Sequence, residues 1–122
     1  MIRILVWILL LFWLLATPSR AAPAFLVKVI VTAYNPVPEQ TDDTPLITAS
    51  NKRAQEGMVA LSRDLERNYG FRFGDEVRLL NVGVFVFEDR MNRRWKRRVD
   101  LLMFCEKRAK KFGKKRAYLI VE

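Results

Sequence analysis

The stretch EVRLLNVGVFVFEDRMNRRWKRRVDLLM, Glu76 to Met103, decides the fold class. Glu76–Leu80 and Val84–Asp89 are rich in β-branched and aromatic residues, and Asn81-Val82-Gly83 between them is a tight connection. Arg90 to Lys96 is polar and turn-like. The run from Arg97 to Met103 then reads as the next strand. Val99, Leu101 and Met103 lie on one of its faces and Arg98, Asp100 and Leu102 on the other. Short strands joined by short turns point to an all-β architecture.

The flanks extend the pattern. Phe25–Tyr34 is apolar and β-branched over its length and is a strand, and Asn35–Pro45, with three prolines, is a loop. Leu46–Ser50 is a short extended piece, Gly57–Ser62 another strand, and Arg63–Asn68 a helical turn that ends at Tyr69-Gly70. Downstream, Cys105, Ala109 and Phe112 have the spacing of a short amphipathic helix closed by Gly113, and Ala117–Val121 is a last strand. Six or seven short strands with one late helix predict a small closed β-barrel, mainly all-β. No sequence repeat is evident.

Ahead of the first strand lies Ile4–Ala16, an unbroken apolar run preceded by Arg3 and followed by Ser19-Arg20-Ala21. It is too short for a comfortable membrane span of about 20 residues and has the layout of a secretory signal peptide, residues 1–21. An uncleaved membrane anchor is the alternative. Residues 22–122 then form the one domain, exported to the periplasm or cell envelope.

The chain of 122 residues carries 22 Lys+Arg against 13 Asp+Glu, a net charge of +9, with no histidine and one cysteine. Histidine triads, His-containing zinc sites and internal disulfides are excluded, and no metal or cofactor site is expected. Acid–base chemistry rests on carboxylates, Lys, Tyr or Cys105, and Cys105 itself is expected as a buried structural thiol. Asp89 ends one strand and Asp100 lies in the next. If those strands pair, the two carboxylates approach each other and one becomes a general acid. If Arg90, Arg97 and Arg98 pair with them instead, both are structural. The run Arg93–Arg98 around Trp95 reads either as a grip on an anionic or sugar ligand or as a solvated hairpin.

In order, Val31-Thr32-Ala33-Tyr34, Leu46–Ser50, Gly57–Ser62, Phe73–Val77, Phe85–Asn92 and Arg98–Met103 resemble the 3D domain, a family named for three aspartates. The chain is similar to the C-terminal part of membrane-bound lytic transglycosylase A and to stationary-phase survival proteins. The resemblance implies a six-stranded double-psi β-barrel in the bacterial cell wall that acts on peptidoglycan glycan strands. It implies Asp100 as the catalytic aspartate, which cleaves between MurNAc and GlcNAc and closes a 1,6-anhydro ring. Asp89 is implied as its partner, with Thr32, Tyr34 and Thr48 near the groove. The chain departs from the family at Asp89-Arg90-Met91-Asn92, where relatives usually read Asp-Thr-Gly-Gly. The family's first aspartate falls on Ser62, with Asp64 two positions on as a substitute. Arg90 and Trp95 complete the expected substrate contacts. The main alternative is a catalytically weak binding barrel. The expected state is a monomer that binds no nucleic acid and meets the membrane only through a retained signal segment. A membrane-surface or nucleic-acid binder is the remaining alternative.

Overall fold

In the computed structural model, residues 23–36 and 47–122 are described; the segment expected to be a signal peptide and most of the Asn35–Pro45 loop fall outside them. Strand β1 runs Phe25–Tyr34, β2 Met58–Leu61, β3 Glu76–Leu79, β4 Gly83–Arg90, β5 Arg98–Leu102 and β6 Lys114–Val121. They close into one barrel in the order β1-β5-β2-β4-β3-β6. Strand alternation fills it. Val27, Val29 and Val31 of β1, Val59 and Leu61 of β2, Phe87 of β4 and Val99 and Leu101 of β5 all turn into a common core. The residues between them face outward. The expected small all-β barrel is therefore the observed fold.

The topology contains a symmetry that no sequence repeat announces. β1, β2, helix α1 (Arg63–Tyr69) and β3 form one ββαβ unit; β4, β5, helix α2 (Glu106–Phe112) and β6 form a second. Exchanging the units maps the parallel pair β1–β5 onto the parallel pair β4–β2, and the antiparallel pair β1–β6 onto β4–β3. The β2–β5 and β3–β6 pairs map onto themselves, so a pseudo-two-fold axis passes through each of them. Residue 60 is the counterpart of residue 100, and Asp89 of Thr32.

Four expectations change. Arg63–Tyr69 is a full helix rather than a single turn; it buries Leu65 against the core and stops at Gly70, which adopts φ 70°. Leu46–Ser50 is no strand over its described part: Ile47 makes one isolated bridge to Arg53, and Ala49-Ser50 turns. Cys105 is exposed, because it precedes α2 instead of lying on its buried face; Ala109 fills that face. The fourth change concerns the aspartate strands. β4 and β5 are not neighbours, since β2 lies between them.

Candidate functional site

Register places four residues in one row across the outer face of the barrel. Thr32 of β1 pairs with Asp100 of β5, Asp100 with Ala60 of β2, and Ala60 with Asp89 of β4. Two strand spacings separate the aspartates, roughly 9–10 Å between backbones. The residue between them has no side chain beyond Cβ, so the row has a floor at Ala60 and a carboxylate on either side. A β-bulge sets this alignment. The β2–β4 register shifts between Val59 and Ala60, which leaves Glu88 without an opposite residue and brings Asp89 into the row.

Asp100 is largely buried, and its carboxyl is pushed up to about 6. Desolvation is the main cause. The Thr32 hydroxyl, which donates to Oδ1 at 2.9 Å, and the Arg98 charge oppose it, while the Asp89 charge adds a smaller upward push. A carboxyl near 6 holds its proton part of the time at neutral pH and can both give and take one.

Asp89 is held from three directions. The Tyr34 hydroxyl donates to Oδ2 at 3.1 Å, and the amides of Ala49 and Arg90 donate to Oδ1 at 2.9 and 3.0 Å. Burial, then the charge and hydrogen bond of Asp89, raise the Tyr34 phenol well above its ordinary range, so it stays a donor. The Ala49 amide reaches Asp89 because the segment Ile47–Arg53 is tightly folded. The Thr48 amide donates to the Lys52 carbonyl at 2.8 Å, the Asn51 amide to the Thr48 carbonyl at 2.9 Å, and the buried Thr48 hydroxyl lies 2.9 Å from that of Ser50. Glu88, only 1% exposed, anchors this segment from below through the Ser50 hydroxyl and the Lys52 ammonium, the latter at 3.1 Å.

Thr32, Tyr34, Asp89 and Asp100 thus come together, with Thr48 one contact behind. Ser62, Asp64, Arg90 and Trp95 do not join them. Ser62 is fully buried; its Oγ accepts from the Arg98 amide at 3.0 Å. Asp64 sits in the first turn of α1, where Oδ2 accepts from the Arg97 amide at 3.0 Å, so the helix holds it away from the row that carries Asp89 and Asp100. Burial pushes the Asp64 carboxyl up, but hydrogen bonds from Ser62 and from the amides of Arg97, Leu65 and Asp64 leave it below the usual range. Arg90 grips Glu66 through Nε and Nη2, at 2.8 and 2.7 Å, and lies 4.4 Å over the Phe73 ring. The Trp95 ring carries the Arg98 and Arg94 guanidiniums at 4.0 and 4.7 Å. Among the described residues no arginine forms an ion pair with Asp89 or Asp100, so the arginine-pairing alternative does not describe this pair.

Sequence reasoning missed Ala49, Ser50, Lys52, Glu88 and Asn35. Asn35 ties the end of β1 to the end of β5, its Nδ2 donating to the carbonyls of Met103 and Phe104 at 3.0 and 2.6 Å. Compared with known proteins, the chain matches no family model and no curated sequence.

Proposed function

We propose that this is an exported cell-envelope protein that cleaves peptidoglycan glycan strands as a lytic transglycosylase, with Asp100 as general acid and base. The observation that carries the reading is Asp100 itself. It is a desolvated carboxyl near pKa 6, hydrogen-bonded by Thr32 and facing a second, rigidly held carboxylate across Ala60. In this reading Asp100 gives its proton to the glycosidic oxygen between MurNAc and GlcNAc as that bond breaks. The resulting carboxylate takes the proton of the MurNAc 6-hydroxyl as its oxygen attacks the anomeric carbon. The ring closes to the 1,6-anhydro product, the proton count balances, and no water is consumed. Asp89, fixed by Tyr34 and two amides, orients the sugar and accepts its hydroxyl hydrogen bonds. Thr32 aims the Asp100 carboxyl outward.

The alternative is a binding barrel of low activity. It draws on Asp64, whose place in α1 leaves two aspartates in the row rather than three. Mass spectrometry of peptidoglycan incubated with the full chain, beside Asp100→Asn and Asp89→Asn, separates the readings. Anhydro-muropeptides that disappear with Asp100→Asn are the expected result. Reducing-end products would replace the intramolecular closure with hydrolysis. Glycan capture without any product would leave the binding barrel.

A further inference from the structure

Away from the aspartate row, the turn between β4 and β5 packs its cations against α1. Arg63 and Arg67, one helical turn apart on α1, and Arg93 and Lys96 from the turn line a cavity of about 400 Å³. Among the described residues no acidic side chain lines it. Among the described residues none of these four cations is in an ion pair, whereas Lys52, Arg78, Arg90, Arg108 and Lys110 each have a carboxylate partner.

The convergence of like charges is built, not incidental. Asp64 accepts the Arg97 amide and so fastens the turn to α1, while Arg63 Nε donates to the Met91 carbonyl at 3.3 Å. Asn92 folds the turn by accepting the Arg94 amide on Oδ1 at 3.0 Å and the Trp95 amide on its carbonyl at 3.1 Å. Of the two carboxylates on α1, Glu66 is paired with the Arg90 guanidinium, while Asp64 accepts the Arg97 backbone amide and, among the described residues, is in no ion pair. Four exposed cations around one concave cavity give it a positive local potential that attracts an anion, most strongly at low salt.

A second cavity of about 420 Å³ adjoins the first on the β1–β6 face. It is lined by Lys28, Arg97, Arg116 and Tyr118 among others, and it shares Lys96 with the first. We propose that the two cavities form one track for a linear, phosphate-bearing polyanion, with Lys96 at the junction. Two concave pockets in series suit a chain of charges better than one isolated anion or a flat membrane surface. Arginine supplies three of the four cations of the first pocket, and its planar fork matches the oxygens of a tetrahedral phosphate. This track is independent of the glycan chemistry at Asp100.

The test is fluorescence anisotropy of end-labelled inorganic polyphosphate with the full chain over a series of salt concentrations. Arg63→Gln/Arg67→Gln and Lys28→Gln/Arg116→Gln should each weaken binding about tenfold and lower the salt slope by about two, one per cation removed. Lys107→Gln/Lys111→Gln, an equal charge loss on α2, should change affinity by less than about twofold, and Asp100→Asn should bind as the parent does. All the exchanged cations are exposed, so circular dichroism should be unchanged throughout. Equal weakening by the α2 pair would overturn the proposal in favour of diffuse attraction. Orthophosphate competing as well per phosphate would reduce the track to single-anion sites and overturn it. Binding to anionic phospholipid vesicles but not to polyphosphate would reassign the face to a membrane.

Discussion

Asp100 spends stability to hold its proton. Its carboxyl has a folded-state pKa of about 6 against an ordinary 3.8, so between those values the folded chain binds more protons than the unfolded chain. Folding stability therefore falls as pH rises through that window, and the full burial penalty stands above about pH 6. The shift corresponds to at most about 3 kcal/mol, less after allowance for the part of the group that water still reaches. Asp100→Asn keeps an acceptor for Thr32 and loses the charge. We expect it to be more stable than the parent by about 1–2 kcal/mol at pH 8 and equal to it near pH 3.5, read from urea unfolding at the two pH values. Equal stabilities at pH 8 would show that the carboxylate is not desolvated. The same titration bears on activity. A general acid at this position gives kcat/KM a limb that falls above a pKa near 6. Tyr34→Phe removes one of three donors to Asp89 and should cost about 1–2 kcal/mol of transition-state stabilisation, with the Asp100 limb still present. Both aspartates were legible in the sequence because a carboxylate on the outer face of an apolar strand stands out. Glu88 did not stand out as a site residue, since a bulge has no signature in residue order.

At the scale of elements, the segment Ile47–Arg53 depends on a carboxylate beneath it. Glu88 is buried and meets Ser50 and Lys52, while Ser50 also donates its amide to the Glu88 carbonyl at 3.1 Å. Lys52 is itself half in water, so the pair gives less than a fully buried one would. Glu88→Gln should destabilise the chain by about 2 kcal/mol. It should also speed hydrogen exchange at the Ala49 amide, which loses its fixed approach to Asp89. Exchange unchanged at Ala49 would mean that the segment holds its shape without Glu88. The sequence shows this segment only as short and β-prone, and its tight turn depends on contacts with β4 that lie far along the chain. By contrast, the end of α1 was visible in advance. Gly70 takes φ 70° with open space where a Cβ would stand. Gly70→Ala should therefore cost about 1 kcal/mol from backbone strain alone, read as a shift in the urea midpoint without a change in slope.

At the scale of the whole molecule, what the residue order could not give is who sits beside whom. The strands carrying Asp89 and Asp100 follow one another in the chain, and adjacent pairing is the ordinary expectation. The two interlocked ββαβ units instead insert β2 between them, so the aspartates face each other across the pseudo-two-fold axis and not across one ladder. Strand alternation predicts which residues face outward, but only long-range closure decides which of them share a row. That closure can be tested at Ala60, the symmetry counterpart of Asp100 and the small residue between the two carboxylates. It is 3% exposed. Ala60→Asp would set a third carboxylate into the row, desolvated and flanked on both sides by like charge. We expect a loss of more than about 3 kcal/mol at pH 7.5 and a smaller loss at pH 4, where Asp100 holds its proton and no longer repels the new carboxyl. Ala60→Asn, of similar size and uncharged, should cost less and show little dependence on pH. If the two variants are equally destabilised at pH 7.5, residue 60 has no carboxylate on either side, and the register that builds the site is wrong.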